Sequence, residues 1–90
     1  MEAEKLQTLF DSVEVMEAPW SLLIYNDDVN TFDHVIETLI RVCKHTREQA
    51  EQCTSIIHYK GKCVVKEGPL EKLQSMCSAI CEAGINAVVV

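Results

Sequence analysis

The chain has 90 residues, which is enough for one small hydrophobic core and excludes a two-domain enzyme. Hydrophobic residues make up 48% of the chain and charged residues 24%, a composition typical of a folded globular domain and not of a disordered protein. The formal net charge of −6 disfavours nucleic acid and anionic membrane surfaces as partners, because both are polyanions.

The negative charge is concentrated at the N-terminus. Residues 1–18 carry five acidic side chains against one lysine, whereas residues 19–90 carry nine acidic and seven basic side chains. No apolar stretch approaches the roughly 20 residues that span a bilayer, and the acidic start lacks the basic and apolar regions of a secretory signal. We therefore expect a flexible acidic extension over residues 1–18, a folded core over residues 19–90 and a cytoplasmic location.

The first folded element is expected directly after Pro19. Residues 20–25 are mostly apolar and include two aromatic side chains, which favours a β-strand. The strand is followed by Asn-Asp-Asp at residues 26–28, which we call the N-D-D loop, and these residue types are typical of a turn.

A first helix is predicted after this loop, since apolar residues recur there every three or four positions. These residues are Phe32, Val35, Ile36, Leu39, Ile40 and Cys43. Asn30 is the expected N-cap, and Asp33, three residues later, completes an approximate capping box.

A second helix is predicted immediately afterwards. Thr46 and Gln49 form a T-x-x-Q capping box ahead of a segment whose inward face carries Ala50, Cys53, Thr54 and Ile57. Gly61 is expected to end this helix.

The last third of the chain predicts a strand, a helix and a strand. Residues 62–66 read as a strand, residues 67–69 as a turn that places Pro69 at the first helical position, and Gly84 as the C-terminal cap of the third helix. A β-branched run at residues 85–90 closes the chain as a strand. The order β-α-α-β-α-β predicts a small single α+β domain, with three helices packed on a three-stranded antiparallel sheet.

The cysteines indicate neither a disulfide framework nor a metal site. Their number, five, is odd, and no two are spaced as C-x-x-C. Cys77 and Cys81 would share one helical face, but a structural metal needs about four ligands, and no His or second Cys pair lies near them in the sequence. We expect reduced, packed cysteines, no metal and no cofactor.

Few polar residues are candidates for function. Taken alone, the N-D-D loop is most simply a turn, and His58 is a histidine at a helix end. His34 and His45 are expected to face solvent and are given no role.

Three motifs occur in one order and spacing: the N-D-D loop, the helix opening at residues 30–32, and the segment His58-Tyr59-Lys60-Gly61-Lys62 at a helix end. Taken together, they resemble the ClpS family, bacterial adaptors that recognise destabilising N-terminal residues and pass the substrate to a Clp unfoldase and protease. The resemblance covers residues 20–90 and implies a ClpS-like core, a non-enzymatic adaptor, and binding of proteins that begin with a bulky hydrophobic residue (N-degrons).

The resemblance implies that Asn26, Asp28 and His58 hold the substrate's α-amino group, while Asp27 shapes the loop or contributes charge. The chemistry is consistent with this assignment, because a buried ammonium has three donors and needs acceptors around it. An internal peptide N–H offers one donor and no charge, so such a site would discriminate against it.

The side chain of the first substrate residue would enter an apolar pocket. By resemblance its walls are Phe32, Val35, Thr54, Ile57 and Ala87, although each of these also fits a plain core role. The chain departs from the family pattern, which often has methionine at positions 32 and 54, proline at 31 and leucine at 87. N-terminal Phe, Tyr, Trp and Leu therefore all remain candidates.

The partner implied by the resemblance is a ClpA-type AAA+ unfoldase, engaged by the extension at residues 1–18. Two alternatives remain open. One is a small thiol-dependent enzyme that pairs a cysteine with His45 or His58, and the other is an N-end recognition module that feeds a ligase.

Overall fold

The strands and helices follow one another in the order predicted from the sequence. The computed structural model describes residues 19–90, so the extension expected over residues 1–18 lies outside the described residues. The elements are β1 (Trp20–Tyr25), α1 (Phe32–Cys43), α2 (Arg47–Lys60), β2 (Lys62–Gly68), α3 (Leu70–Glu82) and β3 (Ala87–Val89). The predicted α+β fold, with three helices on a three-stranded antiparallel sheet, is confirmed.

The sheet has the strand order β2-β1-β3, and β1 pairs antiparallel with both neighbours. Ile24 sits at the centre of this arrangement, opposite Cys63 on one side and Ala87 on the other. The register shifts between Leu22 and Leu23, which marks an irregularity in the β1–β2 pairing.

The helices cover one face of the sheet and enclose the core. The largest fully buried side chains come from β1, α1 and α3: Leu22, Ile24, Leu39, Cys43, Leu73 and Ile80. Burying a large apolar side chain contributes roughly 1.5–3 kcal/mol, so these residues stabilise the packing of the helices on the sheet.

The first helix begins one residue later than the predicted N-cap implies. Thr31 is the N-cap: its backbone is extended, with ψ 159°, and its Oγ1 accepts from the backbone N–H of His34 at 3.1 Å. The prediction of Asn30 was wrong, because the Asn30 side chain is engaged instead with Asp27 and with the carbonyl of Gly84.

Both predicted boundaries of the second helix are confirmed. Thr46 and Gln49 form a reciprocal capping box. Gly61 caps the other end in the left-handed conformation, with φ 88°, and its N–H donates to the carbonyl of Ile57.

The boundaries around α3 differ from the prediction. The strand β2 continues to Gly68, because Glu67 and Gly68 pair with the first two residues of β1, and Pro69 is the N-cap and not the first helical residue. At the other end Ala83 is the C-cap, and Gly84 follows with φ 84°. The last strand spans Ala87–Val89, and backbone hydrogen bonds to β1 continue on both sides of it, from Tyr25 to Asn86 and between Ser21 and Val90.

Within residues 19–90, no helix combines the length and apolar character required to cross a membrane.

Candidate functional site

A pocket of about 280 Å³ lies between the N-D-D loop, the start of α1 and the C-terminal half of α2. Its lining combines a polar side and an apolar side. The lining residues are Asn26, Asp27, Asp28, Asn30, Thr31, Phe32, Val35, Thr54, Ile57 and His58.

Every residue assigned to the site from the sequence lines this pocket except Ala87. Ala87 is 6% exposed and lies in the core, where β3 pairs it with Ile24. Its carbonyl accepts from the thiols of Cys77 and Cys81, at 3.4 and 3.6 Å. The last strand therefore does not contribute Ala87 to the pocket wall.

The carboxylate of Asp27 is held by its own loop. Its Oδ1 accepts from the backbone N–H groups of Val29 and Asn30, at 2.9 and 2.8 Å, and its Oδ2 accepts from Asn30 Nδ2 at 2.7 Å. These bonds, first the backbone bond from Asn30, then its side-chain bond and the bond from Val29, lower the pKa of Asp27 below its ordinary value of 3.8. Asp27 thus shapes the loop as an anion, while Asp28 is exposed.

Asn30 and Thr31 line the pocket but were not assigned to it from the sequence. Asn30 is half-buried, and its amide bridges Asp27 and the carbonyl of Gly84. The available sequence signal was the spacing of Asp27 and Asn30, since Asp side chains accept from backbone N–H groups two or three residues later.

The apolar side of the pocket is formed by well-packed helical residues. Val35 from α1 and Ile57 from α2 are 8% and 4% exposed and belong to the core cluster. Thr54 is also buried, and its hydroxyl donates to the carbonyl of Ala50 at 2.7 Å. Because that hydroxyl is already paired within α2, Thr54 has its hydrogen-bonding need met without a ligand.

Phe32 and His58 join the apolar side to the polar side. Their ring centroids are 5.3 Å apart at an interplanar angle of 50°, a tilted aromatic contact. His58 also meets the ring of Tyr59 edge-on at 5.8 Å. Phe32 is 47% exposed, so it stands at the mouth of the pocket and not in the core.

The other two histidines have structural contacts that the sequence did not predict. Nε2 of His34 lies 2.7 Å from the carbonyl oxygen of Ala83. Nε2 of His45 lies 2.7 Å from the carbonyl oxygen of Val65, and His45 is half-buried between the α1–α2 connection and β2. The expectation of solvent exposure is confirmed for His34, which is exposed, and was wrong for His45, which is half-buried.

The five cysteines differ in burial, from the buried Cys43 to the exposed Cys81. All five are unpaired thiols. Burial raises the pKa of Cys43 to about 11 and that of Cys63 to about 11, with neighbouring Cys53 adding to the second shift, whereas a nucleophilic cysteine needs a lowered pKa. Among residues 19–90 no three His, Cys, Asp or Glu side chains are grouped to hold a metal ion.

Sequence comparison places the chain among known adaptors. The profile described as "ATP-dependent Clp protease adaptor protein ClpS" matches residues 16–87. The chain is 31% identical over 68 residues to the ClpS adapter of Thermosynechococcus vestitus, covering 74% of this chain and 72% of that protein. It is 33% identical over 68 residues to the ClpS adapter of a Nostoc species, covering 74% and 70%.

The chain is also similar to part of a ubiquitin ligase and to a solved ClpS2 structure. The chain is 34% identical over 74 residues to the E3 ubiquitin-protein ligase UBR1 of Drosophila melanogaster, covering 79% of this chain but 4% of the ligase. The fold is similar to that of Agrobacterium tumefaciens ClpS2 bound to L-phenylalaninamide, with a TM-score of 0.74 and 18% identity over 81% of this chain and 95% of that one.

Proposed function

The chain belongs to the ClpS family of adaptor proteins of the ATP-dependent Clp protease, and from this membership we propose that it binds the N-terminal residue of a protein substrate and delivers that substrate to a Clp unfoldase. The observation that carries the proposal is the pocket itself, in which Asn26, Asp28 and His58 lie beside an apolar wall. We assign the polar residues to the substrate's α-amino group and the apolar residues to its first side chain.

The charge and hydrogen-bonding capacity of the polar side support this assignment. An ammonium group carries one positive charge and three donors, and Asn26, Asp28 and a neutral His58 can each offer an acceptor. The carboxylates of Asp27 and Asp28 add negative charge at the same place, which favours a cation over a neutral amide. Hydrogen bonds to charged groups contribute roughly 1.5–3 kcal/mol each.

The apolar side supports a bulky hydrophobic first residue. We propose Phe, Tyr, Trp or Leu, since Phe32, Val35 and Ile57 supply the contact surface. The related ClpS2 structure contains L-phenylalaninamide, which carries a free amino group and a phenylalanine side chain, and this supports Phe as one of the four. Burying such a side chain contributes roughly 1.5–3 kcal/mol, so micromolar or tighter binding is expected after the cost of association.

We propose that the chain acts as an adaptor without catalytic activity of its own. The raised pKa values of Cys43 and Cys63 argue against the alternative of a thiol-dependent enzyme. The abundance of free thiols fits the reducing cytoplasm, where we place the protein. A ClpA-type unfoldase remains the proposed partner, with residues 1–18 proposed to engage it.

One observation favours a second candidate function. The similarity to Drosophila UBR1 supports a recognition module of the same kind that serves a ubiquitin ligase. Both functions use the same pocket, so peptide binding does not separate them. Capture of a Clp unfoldase by the immobilised chain would support the adaptor, and capture of a ubiquitin ligase would support the second candidate.

The decisive experiment compares two labelled peptides that begin with Phe and differ only in N-terminal acetylation. Fluorescence anisotropy should show binding of the free peptide and at least about 100-fold weaker binding of the acetylated one, because acetylation removes the charge and two donors. His58→Ala and Asp28→Asn should each weaken binding of the free peptide. Glu71→Gln, an exposed change at the start of α3, is the matched control. Equal binding of both peptides by the unaltered chain would refute the proposal.

A further inference from the structure

The side chain of Asn30 connects the N-D-D loop to the far end of α3. Its Nδ2 donates to Asp27 Oδ2 at 2.7 Å and to the carbonyl oxygen of Gly84 at 2.9 Å. These two bonds use both hydrogens of the amide group. A residue on the pocket wall is thereby fixed to a segment 54 positions away in the chain.

A second side chain reaches the same segment. His34 Nε2 lies 2.7 Å from the carbonyl oxygen of Ala83, the residue before Gly84. Carbonyl groups at a helix C-terminus lack partners within the helix, and they carry the negative end of its dipole. Gly84 adopts a left-handed conformation, with φ 84°, directly after the cap of α3.

The end of α3 contributes no side chain to the pocket lining, so these bonds are not explained by direct contact with a substrate. We infer that Asn30 and His34 are positioning residues, which hold the N-D-D loop in its binding geometry by tying the loop and the start of α1 to residues 83–84. This inference rests on the proposed function, because it assigns a role in binding at that same site.

These bonds are expected to affect binding because the loop has conformational freedom of its own. Residues 26–31 lie in neither helix nor strand, so their arrangement depends on side-chain bonds such as those of Asp27 and Asn30. When only a fraction of molecules has the loop in the binding arrangement, the apparent dissociation constant rises by the inverse of that fraction. Loss of these bonds, which we call the tether, should therefore weaken binding while leaving in place Asn26, Asp28 and His58, the groups that we assign to the substrate's amine.

The test measures binding of the free and acetylated Phe peptides to four variants. Asn30→Ala should weaken binding of the free peptide by about 5- to 30-fold, the effect of one or two hydrogen bonds. His34→Ala should weaken it by about 2- to 5-fold, because the contact is exposed. His34→Gln, which can place an amide donor near the position of Nε2, should restore affinity. Ile80→Val, a buried change in α3, controls for general loss of stability.

A second measurement reports on the loop directly. The backbone N–H groups of residues 29 and 30 donate to Asp27, and their exchange with water, followed by NMR in the free protein, should be faster in Asn30→Ala and unchanged in Ile80→Val. A role of Asn30 in overall stability alone would change both variants alike.

The outcomes test the tether and the proposed function separately. Unchanged affinity and exchange in Asn30→Ala would overturn the tether while leaving the proposed function intact. Equal binding of the two peptides by the unaltered chain would refute the proposed function, and the exchange measurement would then still test the tether. If Asn30→Ala fails to fold, the pair His34→Ala and His34→Gln decides: equal affinities for these two variants would overturn the inference.

Discussion

The backbone N–H of Asn26 donates to the carbonyl oxygen of Gly61 at 2.8 Å, which joins the first residue of the N-D-D loop to the residue that ends α2. The two polar parts of the pocket are distant in sequence and meet at this bond. His58, three residues before Gly61, is thereby brought to the same side as Asn26 and Asp28. The conformation of Gly61 is therefore important for stability and for binding.

We expect Gly61→Ala to lower the free energy of unfolding by about 1–2 kcal/mol, since a side chain is strained in the left-handed region. Gly61 has φ 88°, and an added Cβ would meet no atom within 4 Å, so any loss reflects backbone strain and not a clash. Urea unfolding measures the change. Gly68→Ala is the control, because its Cβ would also meet open space and its φ is not positive. Equal losses for both variants would contradict this account.

Phe32→Ala should weaken binding of a peptide that begins with Phe by about 3- to 10-fold, because an aromatic contact contributes about 0.5–1.5 kcal/mol beyond burial. The change in thermal stability should be small, since Phe32 is 47% exposed. Trp20→Ala is the matched control: Trp20 is 46% exposed and does not line the pocket. Anisotropy titrations that give the same affinity for both variants would exclude Phe32 from the binding surface.

Affinity for the free peptide should fall in His58→Leu, because this change removes the acceptor that we assign to the substrate's ammonium. His58→Gln keeps an amide acceptor at this position and should retain more of the affinity. Anisotropy titrations of both variants with the free Phe peptide measure the effect. Equal losses in the two variants would show that hydrogen bonding by His58 does not contribute to binding.

Asp27 should contribute stability at neutral pH that disappears in acid. Its folded-state pKa is lowered, first by the backbone hydrogen bond from Asn30, so the ionised form is favoured in the folded protein. The contribution is therefore complete well above the ordinary pKa of 3.8 and is lost as the pH falls through the lower folded-state pKa.

The corresponding comparison is urea unfolding of the unaltered chain and Asp27→Asn at pH 7 and in steps below pH 4. The variant should be less stable at pH 7, and the difference should shrink as the pH decreases. Asp28→Asn provides the comparison on the same loop, where the carboxylate is exposed. A difference that stays constant down to the lowest pH would show that the Asp27 bonds do not depend on its charge.

Several features of the fold could be predicted because their causes are local. The period of apolar residues identified α1, and the T-x-x-Q capping box and Gly61 correctly bounded α2. The prediction of Asn30 as the N-cap of α1 was wrong because this side chain has other partners. Asn and Thr are both good caps, but the Asn30 side chain bonds to Asp27 and to the carbonyl of Gly84, which is far away in the sequence, and Thr31 is the cap.

The candidate site, like the fold, has features that could be predicted from the sequence and features that depend on the tertiary structure. The chemistry of the site follows from the residue types, because the N-D-D loop, α1 and α2 contain acceptors for an amine and apolar side chains for a hydrophobic residue. Which of these residues come together depends on the packing of distant segments. Strand pairing places Ala87 in the core opposite Ile24, and the contacts of Asn30 and His34 with residues 83–84 connect the loop to α3. Such contacts depend on packing between distant segments, which no local pattern of residues encodes.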